Sequence, residues 1–284
     1  FPILFAGSDM QKRDLFDCLN RGGMACFALT EPGAGSDAGA VSCRAEKVEG
    51  GYILKGTKCF ITNAPIADKI TLFANTREGG GIRGLTVFLV DADTKGISIG
   101  KEEDKMGIRA SATAEVIFED CFVPDSARVG KEGRGFMIAM QTLQMSRPVV
   151  AAISVGIAQA AIEAAVAYSH HRKQFGVKIA TFEMVQQMIA DMVMKTEAAR
   201  ILTYKACVAQ MNKDKKAGLY SAMSKCFASD TAMEVTTTAV QVMGGNGYSR
   251  ENPVEKYMRD AKIMQIYEGT NQVQRLVIAN ETTF

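Results

Sequence analysis

The residues Gly135–His171 read GFMIAMQTLQMSRPVVAAISVGIAQAAIEAAVAYSHH, and they mark a change in the hydrophobic pattern of the chain. Before Gly135 the apolar residues come in short runs, whereas from Gly135 onward they recur with the period of a helix. Pro148 lies inside this segment and predicts a kink or break near Ser146 and Arg147. The change of period predicts a strand-rich region followed by a helix-rich region, which is an α+β arrangement.

The region before this segment is predicted to form short strands. Its runs are rich in β-branched and aromatic residues and are separated by Gly, Asn, Asp and Pro. No long amphipathic helix lies between them, which argues against βαβ units and favours a compact antiparallel sheet or barrel. The predicted strands are Met24–Thr30, Tyr52–Lys58, Phe60–Thr62, Lys69–Asn75, Leu85–Val90, Gly96–Ile99 and Ala114–Glu119.

Both ends of the chain are predicted to be helical. Ser8 and Asp9 can cap a helix that ends at Gly22-Gly23. After the first long segment, the pattern predicts helices at about 181–211, 216–243 and 253–266, with a last one from Thr270. Small residues on one face of these helices allow close packing, and an antiparallel bundle is the simplest arrangement.

The composition excludes several classes of protein. The 284 residues include 33 Lys and Arg against 31 Asp and Glu, and this net charge of +2 does not suggest nucleic-acid binding. No uninterrupted apolar run reaches the ~18 residues that a membrane span needs. The seven cysteines are odd in number and form no CxxC pair, which argues against a disulfide framework or a zinc ribbon and indicates a reducing compartment.

A glycine-rich loop, Thr30–Asp37 (TEPGAGSD), follows the first predicted strand. It formally matches the GxGxxA dinucleotide fingerprint, but the residues after it open no convincing helix, so a Rossmann site is not expected. Two interpretations remain open. The loop is either a plain turn, in which glycine supplies a positive φ, or a surface that lets a flat cofactor approach, with the Thr30 and Ser36 hydroxyls as donors. Phe60–Asn63 (FITN) ends another strand and is either core packing with a turn or a ring and a hydroxyl for a heterocycle.

Two motifs of the helical region allow both a structural and a functional interpretation, and the histidine pair allows no site. RKQFG (Arg172–Gly176) is either a basic helix end with a glycine cap or an arginine fork for a phosphate. QVMGGNGY (Gln241–Tyr248) is either a helix terminator or a turn whose free N–H groups meet a phosphate or a ring edge. The two histidines, His170 and His171, point in different directions on a helix, so neither a metal site nor a Ser-His-Asp site is expected.

Glu268 lies between two predicted helices, before a helix N-terminus that Thr270 or Asn271 can cap. It is either an exposed loop glutamate or, in a closed apolar pocket, a general base. In such a pocket desolvation raises the pKa of the carboxyl, while the nearby helix dipole lowers it. We expect desolvation to prevail, which gives a base suited to neutral pH.

Together these segments resemble the acyl-CoA dehydrogenase family, and most of all its short- and medium-chain branches. The resemblance implies a remnant of an N-terminal all-α domain (1–23), a middle β-barrel domain (24–131) and a C-terminal antiparallel four-helix bundle (132–284). Most of the N-terminal helical domain is expected to be lost, because Phe1 corresponds to its last helices. The opening of the chain does not read as a signal peptide. The motifs that carry the resemblance are LTEPGAGSD (Leu29–Asp37), FITN, RKQFG, QVMGGNGY, PVEKYMRDAKI (Pro253–Ile263) and YEGTNQVQR (Tyr267–Arg275).

The resemblance also implies the site residues. Glu268 matches the catalytic base of the main branch; other branches place the base at the position of Ser146, where serine cannot serve. Acyl-CoA contacts are implied for Ser36, Arg147 and Gly269. No metal is expected. The residues implied to bind FAD, which the family holds across two subunits, are Thr30, Ser36, Phe60, Thr62, Arg172, Phe175, Gln241, Gly244, Gly245, Thr270 and Gln272.

The function implied by the resemblance is FAD-dependent α,β-dehydrogenation of short- or medium-chain acyl-CoA thioesters to trans-2-enoyl-CoA. Electrons would pass to electron-transfer flavoprotein, and the assembly would be a homotetramer, a dimer of dimers, with no nucleic-acid or membrane partner. The alternatives are an acyl-CoA oxidase or reductive flavoenzyme on the same scaffold, or a catalytically incomplete fragment. The bacterial cytoplasm is the expected location, or the mitochondrial matrix in a eukaryote.

Overall fold

The computed structural model describes residues 1–283, which divide into two compact units. The first unit comprises residues 1–105 and 109–142, and the second comprises residues 106–108 and those from Leu143 onward. The first is built around a β-sheet and the second from helices. The predicted α+β class and the order of the two regions are confirmed.

The first unit holds an eight-stranded sheet. Its strands are β1 (Ala25–Ala28), β2 (Arg44–Val48), β3 (Gly51–Thr62), β4 (Lys69–Asn75), β5 (Leu85–Asp91), β6 (Ile97–Glu102), β7 (Thr113–Pro124) and β8 (Arg128–Val129). They lie in the order β6-β7-β3-β2-β4-β5-β8, with β1 paired to β4. The sheet is mixed: the pairs β1–β4 and β2–β4 are parallel and the others are antiparallel. Three short helices accompany the sheet: α1 (Pro2–Ala6), α2 (Asp9–Asn20) and α3 (Gly81–Gly84).

The central strands β4 and β5 are buried on both faces, which explains their nearly continuous apolar sequences. The predicted runs Tyr52–Lys58 and Phe60–Thr62 form one strand, β3, whose register shifts between Lys58 and Ile61. Strand β2 was not among the predicted strands, because its RAEKV sequence carries three charges; in the structure these three residues are exposed. The predicted cap at Ser8 is confirmed, since Ser8 Oγ accepts a hydrogen bond from Gln11 N at 3.2 Å.

The second unit is helical. Its elements are α4 (Gly135–His171), β9 (Lys173–Gln174), β10 (Val177–Lys178), α5 (Glu183–Met211), α6 (Ala217–Met243), α7 (Gly245–Tyr248), α8 (Val254–Met264) and α9 (Asn271–Thr283). Helix α6 packs against α5, α8 and α9, and small side chains line its buried face, among them Ala222, Ala228, Ala232 and Ala239. This packing agrees with the small-residue faces noted in the sequence.

Two features of α4 differ from the sequence-based expectations. The predicted break near Ser146 is wrong, because α4 continues through Pro148 as one helix. Among residues 1–283, α4 is also the one helix whose length and apolar composition would allow it to cross a membrane. Core helices of water-soluble proteins meet the same criterion, and Ala158, Ala161 and Ala165 of α4 are buried in the second unit.

Candidate active site

Glu268 lies in the turn between α8 and α9, and this turn has an unusual backbone. Glu268 has a φ of 57° and Gly269 a φ of 86°, so both are in the left-handed region. Asn271 N donates to Gln265 O at 3.0 Å and closes the turn. Thr270 caps the N-terminus of α9, because its Oγ1 accepts a hydrogen bond from Val273 N at 3.2 Å. The sequence had left Thr270 and Asn271 as the two possible caps.

The Glu268 carboxylate is half-buried and is held by a hydroxyl. Ser146 Oγ, on α4, donates to Glu268 Oε2 at 2.5 Å. Burial raises the pKa of the Glu268 carboxyl above its ordinary value, although the Ser146 hydrogen bond and the charges of Arg147 and Lys225 oppose this. The expectation that desolvation prevails at Glu268 therefore agrees with the structure, and the carboxyl holds its proton more strongly than an exposed glutamate does.

Two buried cations lie close to this carboxylate. Arg147 is only 7% exposed, and its Nε has no hydrogen-bond partner among residues 1–283. Burial lowers the pKa of Arg147 and the charge of Glu268 partly restores it. Lys225, on α6, donates to Gly269 O at 2.8 Å and to Asn271 Oδ1 at 2.9 Å. The turn is thus a small carboxylate site with a hydroxyl and two cations around it.

In the first unit Thr30 lies beside β3, the strand that carries Phe60 and Thr62. Cys59 N donates to Thr30 O at 3.0 Å, so the end of β1 lies beside the residues that precede Thr62 on β3. Phe60 has a φ of 55° and is 65% exposed, which is unusual for a large apolar ring. Thr30 is half-buried and Thr62 is exposed. An open aromatic ring can stack on a flat heterocycle, and hydroxyls can bond to its polar edges.

The glycine-rich loop after β1 opens no α-helix. Only a 3-10 turn, Ala38–Ala40, follows it, and this agrees with the expectation that it is not a Rossmann fingerprint. Gly33 and Gly35 have no atom within 4 Å of where a Cβ would stand, and Ser36 is exposed. Glu31 is buried at the base of this loop, where Lys58 Nζ donates to its Oε1 at 2.7 Å.

Five of the other residues that were predicted to bind FAD line two cavities of the second unit. The first, of about 360 Å³, is lined by Arg172, Gly244 and Gly245 together with Tyr168 and Asn246. The second, also about 360 Å³, is lined by Thr270, Gln272, Asp230, Lys262 and Arg275. Gln241 is exposed near the end of α6 and lines neither cavity.

RKQFG does not end a helix as the sequence analysis expected. Arg172 follows α4, and the next residues form the β9–β10 hairpin. Phe175 and Gly176 have φ values of 51° and 82° at the tip of this hairpin, as a tight two-residue turn requires. Phe175 is therefore 95% exposed, and it does not line the cavity that contains Arg172.

The sequence matches family models over both regions. Residues 26–121 match "Acyl-CoA dehydrogenase, middle domain", and residues 133–282 match "Acyl-CoA dehydrogenase, C-terminal domain". The chain belongs to the acyl-CoA dehydrogenase family. It is therefore an oxidoreductase of a flavoprotein family, as the resemblance implied.

Relatives and a solved structure agree with this acyl-CoA dehydrogenase assignment. The chain is 47% identical to "Probable acyl-CoA dehydrogenase FadE25" of Mycobacterium tuberculosis, over 98% of this chain and 72% of the relative. It is 46% identical to "Short-chain specific acyl-CoA dehydrogenase, mitochondrial" of Rattus norvegicus, over 98% of this chain and 68% of that protein. The structure of butyryl-CoA dehydrogenase from Megasphaera elsdenii superposes with a TM-score of 0.97 at 46% identity, covering 100% of this chain and 74% of that one.

The described residues of this acyl-CoA dehydrogenase fit a flavin cofactor. In the first unit, the exposed Phe60 ring suits contact with a flavin ring, and Thr30 lies beside the same strand. In the second unit, the Arg172 cavity has a cation next to Gly244 and Gly245, where a Cβ would meet no atom within 4 Å. An arginine beside open backbone suits a diphosphate.

Lys225 and Gln274 also belong to this site and were not predicted from the sequence. Gln274 is fully buried, and its Nε2 donates to Gly269 O at 2.9 Å and to Glu268 O at 3.3 Å. Lys225 could have been noticed, because it interrupts the small-residue face of α6 between Ser221 and Ser229, both of which are buried. A lysine in such a face must find buried oxygen atoms.

Replacing Gly269 by alanine is expected to destabilise this turn. The φ of 86° disfavours an L side chain, and the new Cβ would stand 2.6 Å from Gln274 Nε2. We expect a loss of about 1–3 kcal/mol in the free energy of unfolding, measured by urea denaturation. The matched control is Gly156→Ala in α4, where a Cβ meets no atom within 4 Å. That variant should gain about 0.5–1 kcal/mol; equal midpoints for the two variants would contradict the strain argument.

Proposed function

We propose that this acyl-CoA dehydrogenase removes the α- and β-hydrogens of short- or medium-chain acyl-CoA thioesters and yields trans-2-enoyl-CoA. The observation that carries the proposal is the half-buried Glu268 carboxylate, whose pKa is raised by burial and which a serine hydroxyl holds in place. A base that binds its proton more strongly than an exposed glutamate suits abstraction of a weakly acidic C–H at neutral pH.

In this mechanism Glu268 takes the proton from the α-carbon of the thioester. Negative charge then develops on the thioester carbonyl oxygen, which needs a donor. The Glu268 N–H is available, because it makes no hydrogen bond to any acceptor among residues 1–283. Such a donor contributes roughly 10²–10³-fold to kcat.

We assign FAD binding to the residues that the resemblance implies in both units. Thr30, Phe60 and Thr62 would contact the ring, and Arg172 with Gly244 and Gly245 would hold a diphosphate. When bound, FAD supplies the acceptor for the hydride that leaves the β-carbon. Ser36, Phe175, Gln241, Thr270 and Gln272 remain predicted FAD contacts. Electron-transfer flavoprotein is the acceptor that we propose for the electrons.

Arg147 and Gly269 are the proposed thioester-side residues, and Ser36 the proposed contact for the CoA arm. Arg147 supports this assignment because its buried Nε has no hydrogen-bond partner among residues 1–283. A buried guanidinium with spare donors favours an electron-rich neighbour such as a thioester oxygen or the Glu268 carboxylate. The length of the acyl chain is proposed from the relatives named above, which act on short-chain and butyryl substrates by their names.

A homotetramer remains the proposed assembly. Helix α5 supports it, since it exposes a stripe of apolar side chains at helical spacing: Met194, Ile201, Tyr204, Val208 and Met211. Exposed apolar patches of this kind mark interaction surfaces. The bacterial cytoplasm is the proposed location, with the mitochondrial matrix as the eukaryotic equivalent, because the named relatives come from a bacterium and from mitochondria.

The proposal is tested with the flavin-loaded chain. The purified protein should be yellow, and butyryl-CoA should bleach the flavin absorbance band without oxygen and yield a trans-2-enoyl-CoA. Across a panel of acyl-CoA lengths, kcat/KM with an acceptor dye should be highest for short or medium chains. Product formation that consumes oxygen faster than it reduces the dye would indicate an acyl-CoA oxidase, and a colourless, inactive protein would contradict the proposal.

A further inference from the structure

Lys225 is a fully buried cation, and its two hydrogen-bond acceptors within residues 1–283 are both uncharged. Its Nζ donates to Gly269 O at 2.8 Å and to Asn271 Oδ1 at 2.9 Å. A buried ammonium is costly unless a counter-charge or several well-placed oxygens compensate it. Both acceptors belong to the segment that directly follows Glu268, so the position of this cation is tied to the carboxylate turn.

The two acceptors are themselves held in place. Asn271 Nδ2 donates hydrogen bonds to Ser229 Oγ at 2.9 Å and to Asp230 Oδ1 at 2.7 Å. These bonds orient the side-chain amide of Asn271 so that its Oδ1 faces Lys225. Gly269 O accepts a second hydrogen bond from Gln274 Nε2 at 2.9 Å. The peptide group after Gly269 is therefore fixed from α6 and from α9 at the same time.

These hydrogen bonds stabilise a backbone conformation that is unfavourable by itself. Glu268 has a φ of 57°, which an L residue rarely adopts, and Gly269 has a φ of 86°. Such conformations persist only where surrounding contacts determine them. Lys225 and Gln274 supply those contacts through the Gly269 carbonyl, one residue from the carboxylate.

Charge also links Lys225 to Glu268. Burial, together with the charge of Arg147, lowers the pKa of Lys225 to about 8. Cys226, Glu268 and Asp230 act in the opposite direction and raise this pKa. In return, the positive charge of Lys225 counteracts the desolvation that raises the pKa of Glu268. Lys225 thus favours the ionised, proton-accepting form of the carboxylate.

We infer that Lys225 is a positioning residue for Glu268: it holds the 268–270 turn through Gly269 O and Asn271, and its charge favours the carboxylate. It does not touch the reacting atoms in this role. The inference deepens the proposed function and rests on it for its meaning in the reaction.

The test compares Lys225→Met and Lys225→Gln in the full chain. Glutamine keeps an N–H donor on a side chain one bond shorter but carries no charge, whereas methionine has neither a donor nor a charge. The pKa of Glu268 is read by 13C NMR on glutamate-labelled protein and is assigned with Glu268→Gln. We expect both variants to raise this pKa by about half a unit to one unit. The acid limb of kcat/KM with butyryl-CoA should move upward by the same amount, and kcat should fall at least about 10-fold in Lys225→Met but less in Lys225→Gln.

Lys215→Met is the matched control, because Lys215 is exposed in the turn between α5 and α6; it should change neither readout. If Lys225→Met does not fold, Lys225→Gln carries the comparison. A folded variant with an unchanged Glu268 pKa and an unchanged acid limb would overturn the inference. If the Glu268 pKa depends on Lys225 but the flavin-loaded wild type dehydrogenates no acyl-CoA, the coupling stands and the proposed function fails.

Discussion

Replacing Glu268 by glutamine is expected to lower kcat by about 10²–10⁴-fold, because the amide cannot accept the α-proton. The shape of the side chain is kept, and glutamine still accepts the hydrogen bond that Ser146 Oγ now donates to Oε2 at 2.5 Å. The turn should therefore remain folded. The measurement is acyl-CoA-dependent reduction of an acceptor dye, with the flavin absorbance band recorded in parallel to show that the cofactor is retained.

The pH profile adds a second readout for the same substitution. A base must be ionised to accept a proton, so wild-type kcat/KM should fall as the pH drops through the raised pKa of Glu268. This acid limb should lie above the ordinary glutamate value of ~4.3. The residual rate of Glu268→Gln should lack that limb. Glu251→Gln, at an exposed turn residue, is the matched control. Normal turnover in Glu268→Gln would remove this carboxylate from the mechanism.

The sequence correctly predicts structural features that depend on residues close together in the chain. The cap at Ser8, the cap at Thr270 and the strand Lys69–Asn75 depend on neighbouring residues, and the structure has each of them. The position of Glu268 before a capped helix followed from the same kind of signal. The sequence also predicts the direction of the Glu268 pKa shift, because burial is the largest effect; the opposing Ser146 hydrogen bond and the charges of Arg147 and Lys225 come from residues far away in the sequence.

The features that could not be predicted from the sequence depend on contacts between residues far apart in the chain. Lys225 meets Gly269 across 44 positions of the chain, so no local pattern connects them. Helix α4 continues through Pro148, where local rules favour a break, because the packing of a long helix can outweigh one lost hydrogen bond. Strand β2 exists because β3 pairs with it along its whole length, although its own residues have a poor strand pattern.

Replacing Glu31 by glutamine is expected to lower the free energy of unfolding by about 3–5 kcal/mol, because it leaves the charge of Lys58 buried without a counter-charge. Glu31 and Lys58 are both buried, and Lys58 Nζ lies 2.7 Å from Glu31 Oε1 and donates also to Leu29 O at 3.0 Å. The Glu31 carboxylate further accepts hydrogen bonds from Ser42 N at 2.7 Å, Ser42 Oγ at 2.6 Å and Cys43 N at 2.9 Å. These contacts join the end of β1, strand β3 and the segment before β2, so the loss should also loosen the loop that carries Ser36. Urea denaturation measures the effect, and flavin retention reports the loop.

The pH dependence of this stabilisation has a definite sign. Lys58 and the donors of Ser42 hold the pKa of Glu31 below its ordinary value in spite of burial, so the folded state binds the Glu31 proton less tightly than the unfolded state does. The contribution is complete above the ordinary glutamate pKa and is lost as the pH falls through the lower folded value. The stability difference between wild type and Glu31→Gln should therefore shrink in acid.

Two further variants separate the charge from the shape of this site. Glu78→Gln makes the same chemical change in the exposed pair with Arg44 and should leave the unfolding midpoint unchanged. The double variant Glu31→Gln/Lys58→Met removes both charges and should recover part of the lost stability. Most of the destabilisation in Glu31→Gln is expected to come from the buried, unpaired Lys58 ammonium and not from the lost ionic attraction. If Glu31→Gln unfolds at the wild-type midpoint at neutral pH, the buried pair does not hold this loop, and another contact must fix the residues proposed to face the flavin.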